Sequence, residues 1–91
     1  MNQMNVNIRL EGTLRQFADN KDKVLVRGNT VGKCIDDLIR RCPGIAEWLF
    51  DKSGIPKSLI LMDGRVIKPV EFDLFVKEGT ELRILLNMAG G

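Results

Sequence analysis

Histidine is absent from the 91-residue chain, cysteine occurs twice, proline three times and tryptophan once. Without imidazole a zinc site is short of ligands, and Cys34 and Cys42 lack the C-x-x-C spacing of metal or redox sites. Both fall in one expected helix, where a rise of about 1.5 Å per residue separates them by roughly 12 Å. A disulfide needs Cα atoms within about 7 Å of each other, so the two thiols read as small apolar core residues. No Ser or Cys stands in a nucleophile motif, and no carboxylates pair in a recognisable cleft. The glycine-containing turn at 28–33 has the spacing of neither nucleotide-binding motif. An enzyme acting alone is therefore not expected.

Long apolar runs are missing too, so no segment is long enough to span a bilayer. Met1-Asn2-Gln3-Met4-Asn5 has neither a basic start nor an apolar stretch and does not resemble a secretory signal. A cytoplasmic location without membrane association is the expectation. The formal charge is only +2, with both signs interspersed, so the clustered Lys/Arg footprint of a nucleic-acid binder is also lacking. What remains is an ordinary folding composition, 44% hydrophobic and 29% charged, in a chain with room for one core.

Val6, Ile8 and Leu10 alternate with Asn7, Arg9 and Glu11, the period of a strand with one buried face. A polar connector follows, in which Leu14 and Phe17 are expected to tuck under the sheet. Val24-Leu25-Val26 then resumes a short strand, and the two runs pair most simply as an antiparallel hairpin. Thr30 suits the N-cap of a helix whose Val31, Cys34, Ile35, Leu38, Ile39 and Cys42 form a continuous apolar stripe. Lys33, Asp36, Asp37 and Arg40 are expected to face water. Arg40 and Arg41 suit the negative end of the helix dipole, and Pro43-Gly44 ends the helix. Residues 45–50 suggest a further helical turn whose large apolar side chains close one end of the core.

Leu59-Ile60-Leu61-Met62 is long enough for a strand and too short for a helix. Asp63-Gly64 is a hairpin turn signal, with Arg65-Val66-Ile67 as the return strand. Residues 72–76 supply apolar anchors, Glu78-Gly79-Thr80 bends, and residues 81–86 read as the final strand. The order is strand, strand, helix, strand, short strand, strand. It suits an α+β fold with a mixed β-sheet packed on one main α-helix. A ferredoxin-like fold would need a second long helix.

Asn87-Met88-Ala89-Gly90-Gly91 contains nothing to anchor it to a core. The chain is accordingly read as a domain over residues 1–86 and a flexible C-terminal tail over 87–91, which at about 3.3 Å per residue reaches roughly 17 Å. Two closing glycines arise by chance in about half a per cent of chains at a Gly usage of about 7%. Glycine has no Cβ and accepts unusual φ/ψ values, so it suits a backbone that enters a narrow channel. A terminal carboxylate is a poor electrophile until converted to a mixed anhydride such as an acyl-adenylate. A sulfur nucleophile or an amine then displaces AMP, and the tail is a substrate.

The whole chain resembles the MoaD/ThiS family of ubiquitin-like sulfur carriers, and within it the small subunits of molybdopterin synthases. The resemblance rests on Val6-Asn7-Ile8-Arg9-Leu10 with Leu14-Arg15, the helix at 30–41 with Pro43 after it, and Leu49-Phe50. It continues through Leu61-Met62-Asp63-Gly64-Arg65 and Lys77-Glu78-Gly79-Thr80-Glu81-Leu82-Arg83-Ile84-Leu85 to Gly90-Gly91. Asn87-Met88 stands where the family often has a Pro-containing stretch, and Asp63 where it usually has Asn. The resemblance implies a β-grasp (ubiquitin-like) fold and a non-catalytic carrier. Gly91 would be adenylated by a ubiquitin-activating-type adenylyltransferase that consumes ATP, then converted to a thiocarboxylate with sulfur from a cysteine desulfurase or persulfide protein. Met88, Ala89, Gly90 and Gly91 would enter the large subunit of molybdopterin synthase, or an equivalent acceptor enzyme, to deliver sulfur for the molybdenum cofactor. No cofactor is expected on this chain itself. Carriage of sulfur for thiazole (thiamine) or cysteine synthesis, lysine modification, and a plain interaction domain are the alternatives.

Leu59-Ile60-Leu61-Met62 is apolar on both alternating faces, and Leu85 interrupts the alternation of Leu82, Ile84 and Leu86. A sheet covered by one helix needs only one apolar face. Leu59, Leu61 and Leu85, framed by Arg65, Lys68 and Arg83, are therefore a candidate partner surface, unless the curved sheet and residues 45–50 bury them.

Overall fold

The computed structural model of the chain describes residues 3–86. Strand β1 (Met4–Leu10) buries Val6, Ile8 and Leu10, as its alternation requires. It forms an antiparallel hairpin with β2 (Lys23–Gly28), in which Val6 stands opposite Val26 and Ile8 opposite Val24. The connector is not irregular. It winds as a 3₁₀ helix, Gly12–Ala18, which buries Leu14 completely and leaves Phe17 half-buried.

Helix α1 (Val31–Arg41) begins where the Thr30 side chain accepts a hydrogen bond from the Lys33 amide at 3.2 Å. Val31, Cys34, Ile35 and Leu38 point into the core, and Cys42 is the C-cap rather than a helical residue. The helix lies close over β2. A Cβ built on Gly28 would stand 2.8 Å from the Cys34 amide nitrogen and 3.0 Å from the Lys33 carbonyl carbon, so only glycine fits that crossing. Asp37, expected in water, is instead buried, with 9% of its surface exposed. Beyond α1, a 3₁₀ turn (Pro43–Ile45) and the short helix α2 (Ala46–Leu49) bury Ile45 and Leu49. Trp48 does not close the core as expected. It is 38% exposed, 6.1 Å from the Phe17 ring, with the Lys57 ammonium 5.7 Å above it.

Strand β3 (Ser58–Met62) turns at Asp63-Gly64 into β4 (Arg65–Val66). Both turn residues have positive φ, 54° and 80°, which the Asp-Gly pair supplies for a two-residue hairpin. A 3₁₀ turn at Pro69–Glu71 and the segment containing buried Val76 lead to β5 (Glu81–Leu86). The sheet order is β2-β1-β5-β3-β4, with β1 and β5 parallel and the other neighbours antiparallel. This is a mixed sheet on one main helix, and the last strand occupies its centre.

Candidate functional site

The strand that leads toward the sequence-predicted tail is held on both sides. Ile8 and Leu10 of β1 stand beside Leu82 and Ile84, while Ile60 and Leu59 of β3 stand opposite Ile84 and Leu85. Leu82 and Ile84 are fully buried, so the strand is pinned by its ladder and by its apolar side chains together. The Glu11 amide also donates to the Ile84 carbonyl at 3.1 Å. At the end of β5, Leu86 is paired with Ser58, whose hydroxyl donates to the Trp48 carbonyl at 2.7 Å. Strand β5 thus ends at the pole that carries α2. Met88, Ala89, Gly90 and Gly91 lie outside the described residues.

On the face away from α1, register brings together four residues of the candidate surface. Leu59 is opposite Leu85, and Leu61 is opposite Arg83. The three leucines are half-buried and lie side by side across two neighbouring strands. Arg83 sits at their margin with its guanidinium 3.5 Å from Glu11. Lys68 lines a small apolar groove of about 150 Å³ with Leu59, Val66 and Pro69. Arg65 is not part of the group. Its pairing with Met62, which in turn faces Leu82, puts it on the helix side, where it holds the Glu71 carboxylate at 2.9 Å. Hydrogen bonds from Arg65 and from the Lys68 amide keep the Glu71 carboxyl below its ordinary pKa.

Val66, 43% exposed, joins the patch opposite Leu61. The sequence contains the signal for it: a two-residue Asp-Gly turn places the second return residue opposite the second residue before the turn. Among the described residues no group of three or more His, Cys, Asp or Glu side chains gathers where it would hold a metal ion, and no helix is long and apolar enough to cross a membrane.

No protein-family model and no curated protein sequence matches the chain. Solved structures do. Small archaeal modifier protein 1 (SAMP1) from Methanosarcina acetivorans superposes with a TM-score of 0.85 at 22% identity, covering 100% of both chains. The BexX/CysO complex from Amycolatopsis orientalis gives 0.79 at 26% identity, covering 94% of this chain and 99% of that one. The complex of subunits 1 and 2 of molybdopterin-converting factor from Helicobacter pylori gives 0.65 at 19% identity, covering 97% and 100%.

The chain has the ubiquitin-like β-grasp fold of the MoaD/ThiS sulfur carriers. Two of these three structures are complexes with a protein partner. A β-grasp body explains the placement of the site. Its closing strand is central and paired on both sides, and the face of that strand turned away from α1 carries the leucine patch.

Proposed function

We propose that the chain is a sulfur carrier whose working group is the carboxylate of Gly91. One observation carries this reading: β5, the central strand of a sheet matched nearly end to end by carriers, leads into Ala89-Gly90-Gly91. The carboxylate attacks the α-phosphate of ATP on a ubiquitin-activating-type adenylyltransferase, and pyrophosphate leaves. A persulfide sulfur from a cysteine desulfurase or persulfide protein then attacks the acyl carbon and expels AMP. A second thiol cleaves the acyl disulfide, becoming oxidised, and leaves the thiocarboxylate. The β-grasp domain supplies no catalytic group. It presents the tail and docks through the Leu59, Leu61 and Leu85 face.

For the acceptor, the proposal is the dithiolene-forming step of molybdopterin synthesis, with this chain as the small subunit bound to a large one. The likeness to molybdopterin-converting factor subunit 1 supports it. The likeness to SAMP1, whose printed name is a modifier protein, supports a second reading in which a lysine amine displaces AMP and forms an isopeptide bond. The test is intact mass after incubation with ATP, an adenylating enzyme and a sulfur donor, with fragmentation of the terminal peptide. Exchange of one oxygen for sulfur at Gly91 is the expected result and also establishes that Gly91 bears the free carboxylate. An unchanged terminus, with the same enzyme active on another carrier, overturns sulfur carriage. Conjugates of higher mass on denaturing gels transfer the assignment to the modifier reading.

A further inference from the structure

Trp48 is the only tryptophan of the chain, and the core does not use it. Ile45 and Leu49 are buried on the inward side of the same turn, while Trp48 stays 38% exposed. Its ring is nevertheless held in place. The Phe17 ring lies 6.1 Å away at 42°, and the Lys57 ammonium stands 5.7 Å from the indole centroid while donating to the Glu47 carbonyl at 2.9 Å. The backbone beneath is fixed by the Ser58 hydroxyl on the Trp48 carbonyl. Among the described residues no acceptor takes the indole N–H, and no carboxylate pairs with Lys57. A side chain already ordered loses little freedom on binding, and tryptophan is prominent among the residues that carry binding energy at interfaces.

Its place in the fold says what meets it. β1 and β5 run parallel, with the Glu11 amide on the Ile84 carbonyl, so the 3₁₀ helix bearing Phe17 follows β1 at the pole where β5 ends. Ser58 stands opposite Leu86, and its bond to Trp48 puts that carbonyl within about 10 Å of the Leu86 Cα. Five residues follow Leu86 up to the Gly91 carboxylate, a span of roughly 17 Å at full extension. An active site that encloses the last three uses about 10 Å of that span and brings its rim to about 7 Å from Leu86. A standard interface of about 800 Å² on each partner is a disc of roughly 16 Å radius. Centred on the end of β5, such a footprint takes in the Trp48 ring as well as the leucine face.

We infer that Trp48 is an anchor for the adenylyltransferase that takes the tail. Its indole seats in an apolar recess at the rim of the enzyme's tail channel, where an oxygen acceptor meets the indole N–H and a carboxylate meets Lys57. The inference rests on the reading of Gly91 as the activated carboxylate. It does not depend on whether sulfur or a lysine amine then receives the acyl group, because the adenylate precedes both.

The test uses the full chain labelled with 5-fluorotryptophan, whose single ¹⁹F resonance reports Trp48 alone, beside ATP–pyrophosphate exchange by the adenylating enzyme. On addition of the enzyme the resonance is expected to move and to lose its H₂O/D₂O solvent isotope shift. Trp48→Ala, confirmed folded by circular dichroism, is expected to raise KM for the chain about tenfold at unchanged kcat, since the contact is the same in the ground and transition states. Trp48→Phe, which keeps an aromatic ring on Phe17, is expected to recover part of that loss. Val70→Ala, which trims an apolar side chain 86% exposed elsewhere on the surface, is expected to leave KM unchanged. The inference is overturned, with the Gly91 reading intact, if the chain is adenylated while its ¹⁹F resonance keeps the solvent isotope shift. A Trp48→Ala KM within about twofold of the parent value overturns it equally. Absence of pyrophosphate exchange, with the enzyme active on another carrier, overturns the Gly91 reading and the inference with it.

Discussion

Asp37 is the charged side chain on which most of the local electrostatics turns. Burial by itself raises its pKa, but hydrogen bonds from the Arg41 guanidinium, the Arg27 amide and the Arg40 guanidinium prevail and bring it from 3.8 down to about 2. A carboxyl depressed on folding contributes stability that is complete above its unfolded value and lost as pH falls through its folded one. The contribution at neutral pH is about 1 to 2 kcal/mol once solvent screening at the exposed guanidinium groups is allowed for. Asp37→Asn is expected to lose that amount in urea unfolding at pH 7 and to show a shallower fall in stability between about pH 4 and pH 2. A wild-type pH profile in that window is the control. The thiols behave differently: burial, reinforced by Asp37, pushes Cys34 up to about 11, and burial also raises Cys42. Because the thiolate is the reactive form, a disulfide-exchange reagent at pH 8 should label neither cysteine rapidly in the folded chain. Both should react once urea unfolds it.

At the level of elements, the contact between β2 and α1 sets how the helix sits on the sheet. Gly28 is the point of closest approach, and its φ is not in the left-handed region, so the constraint there is space rather than backbone conformation. Gly28→Ala forces its methyl against helix backbone that cannot swing aside. The expected cost is about 1 to 3 kcal/mol in chemical denaturation. The same substitution at Gly44, where a Cβ would meet only the Phe17 ring at 3.0 Å, makes a useful comparison because a ring edge can shift. A smaller loss there would tie the effect to the helix backbone.

For the whole molecule, the described core is built from elements that precede the segment proposed to carry sulfur. The core is built from the inward residues of β1, β5 and α1, among them Ile8, Leu10, Leu38, Leu82 and Ile84, all fully buried. The residues proposed to carry sulfur follow β5 in the sequence and lie outside the described residues. Adding one residue after Gly91, or making Gly91→Ala, is therefore expected to abolish sulfur transfer while leaving the melting temperature nearly unchanged. Scanning calorimetry beside a sulfur-transfer assay checks both halves. Retained transfer in either variant removes the terminal carboxylate from the mechanism.

Most of the secondary structure and the inward faces were legible because periodicity is local. Val6, Ile8 and Leu10 declare a strand, Val31 to Leu38 a helical stripe, and Asp63-Gly64 a turn, without reference to the rest of the chain. The β1–β2 hairpin also followed, since adjacent strands pair with little loop entropy. Periodicity names a face but not what lies across from it. Asp37 flanks the apolar stripe, and only the β2 edge amide and two arginines brought beside it make it a buried anion. Charge groups Arg65 with Arg83, but the register of β4 on β3 puts it on the other face. Size argues for Trp48 in the core, yet α2 turns it outward toward Phe17 and Lys57. The sequence by itself determined the elements, their inward faces and the chemistry proposed for the last glycine. Only the tertiary structure decided the parallel pairing of β1 with β5, and with it the central position of the closing strand, because that pairing joins residues more than seventy positions apart.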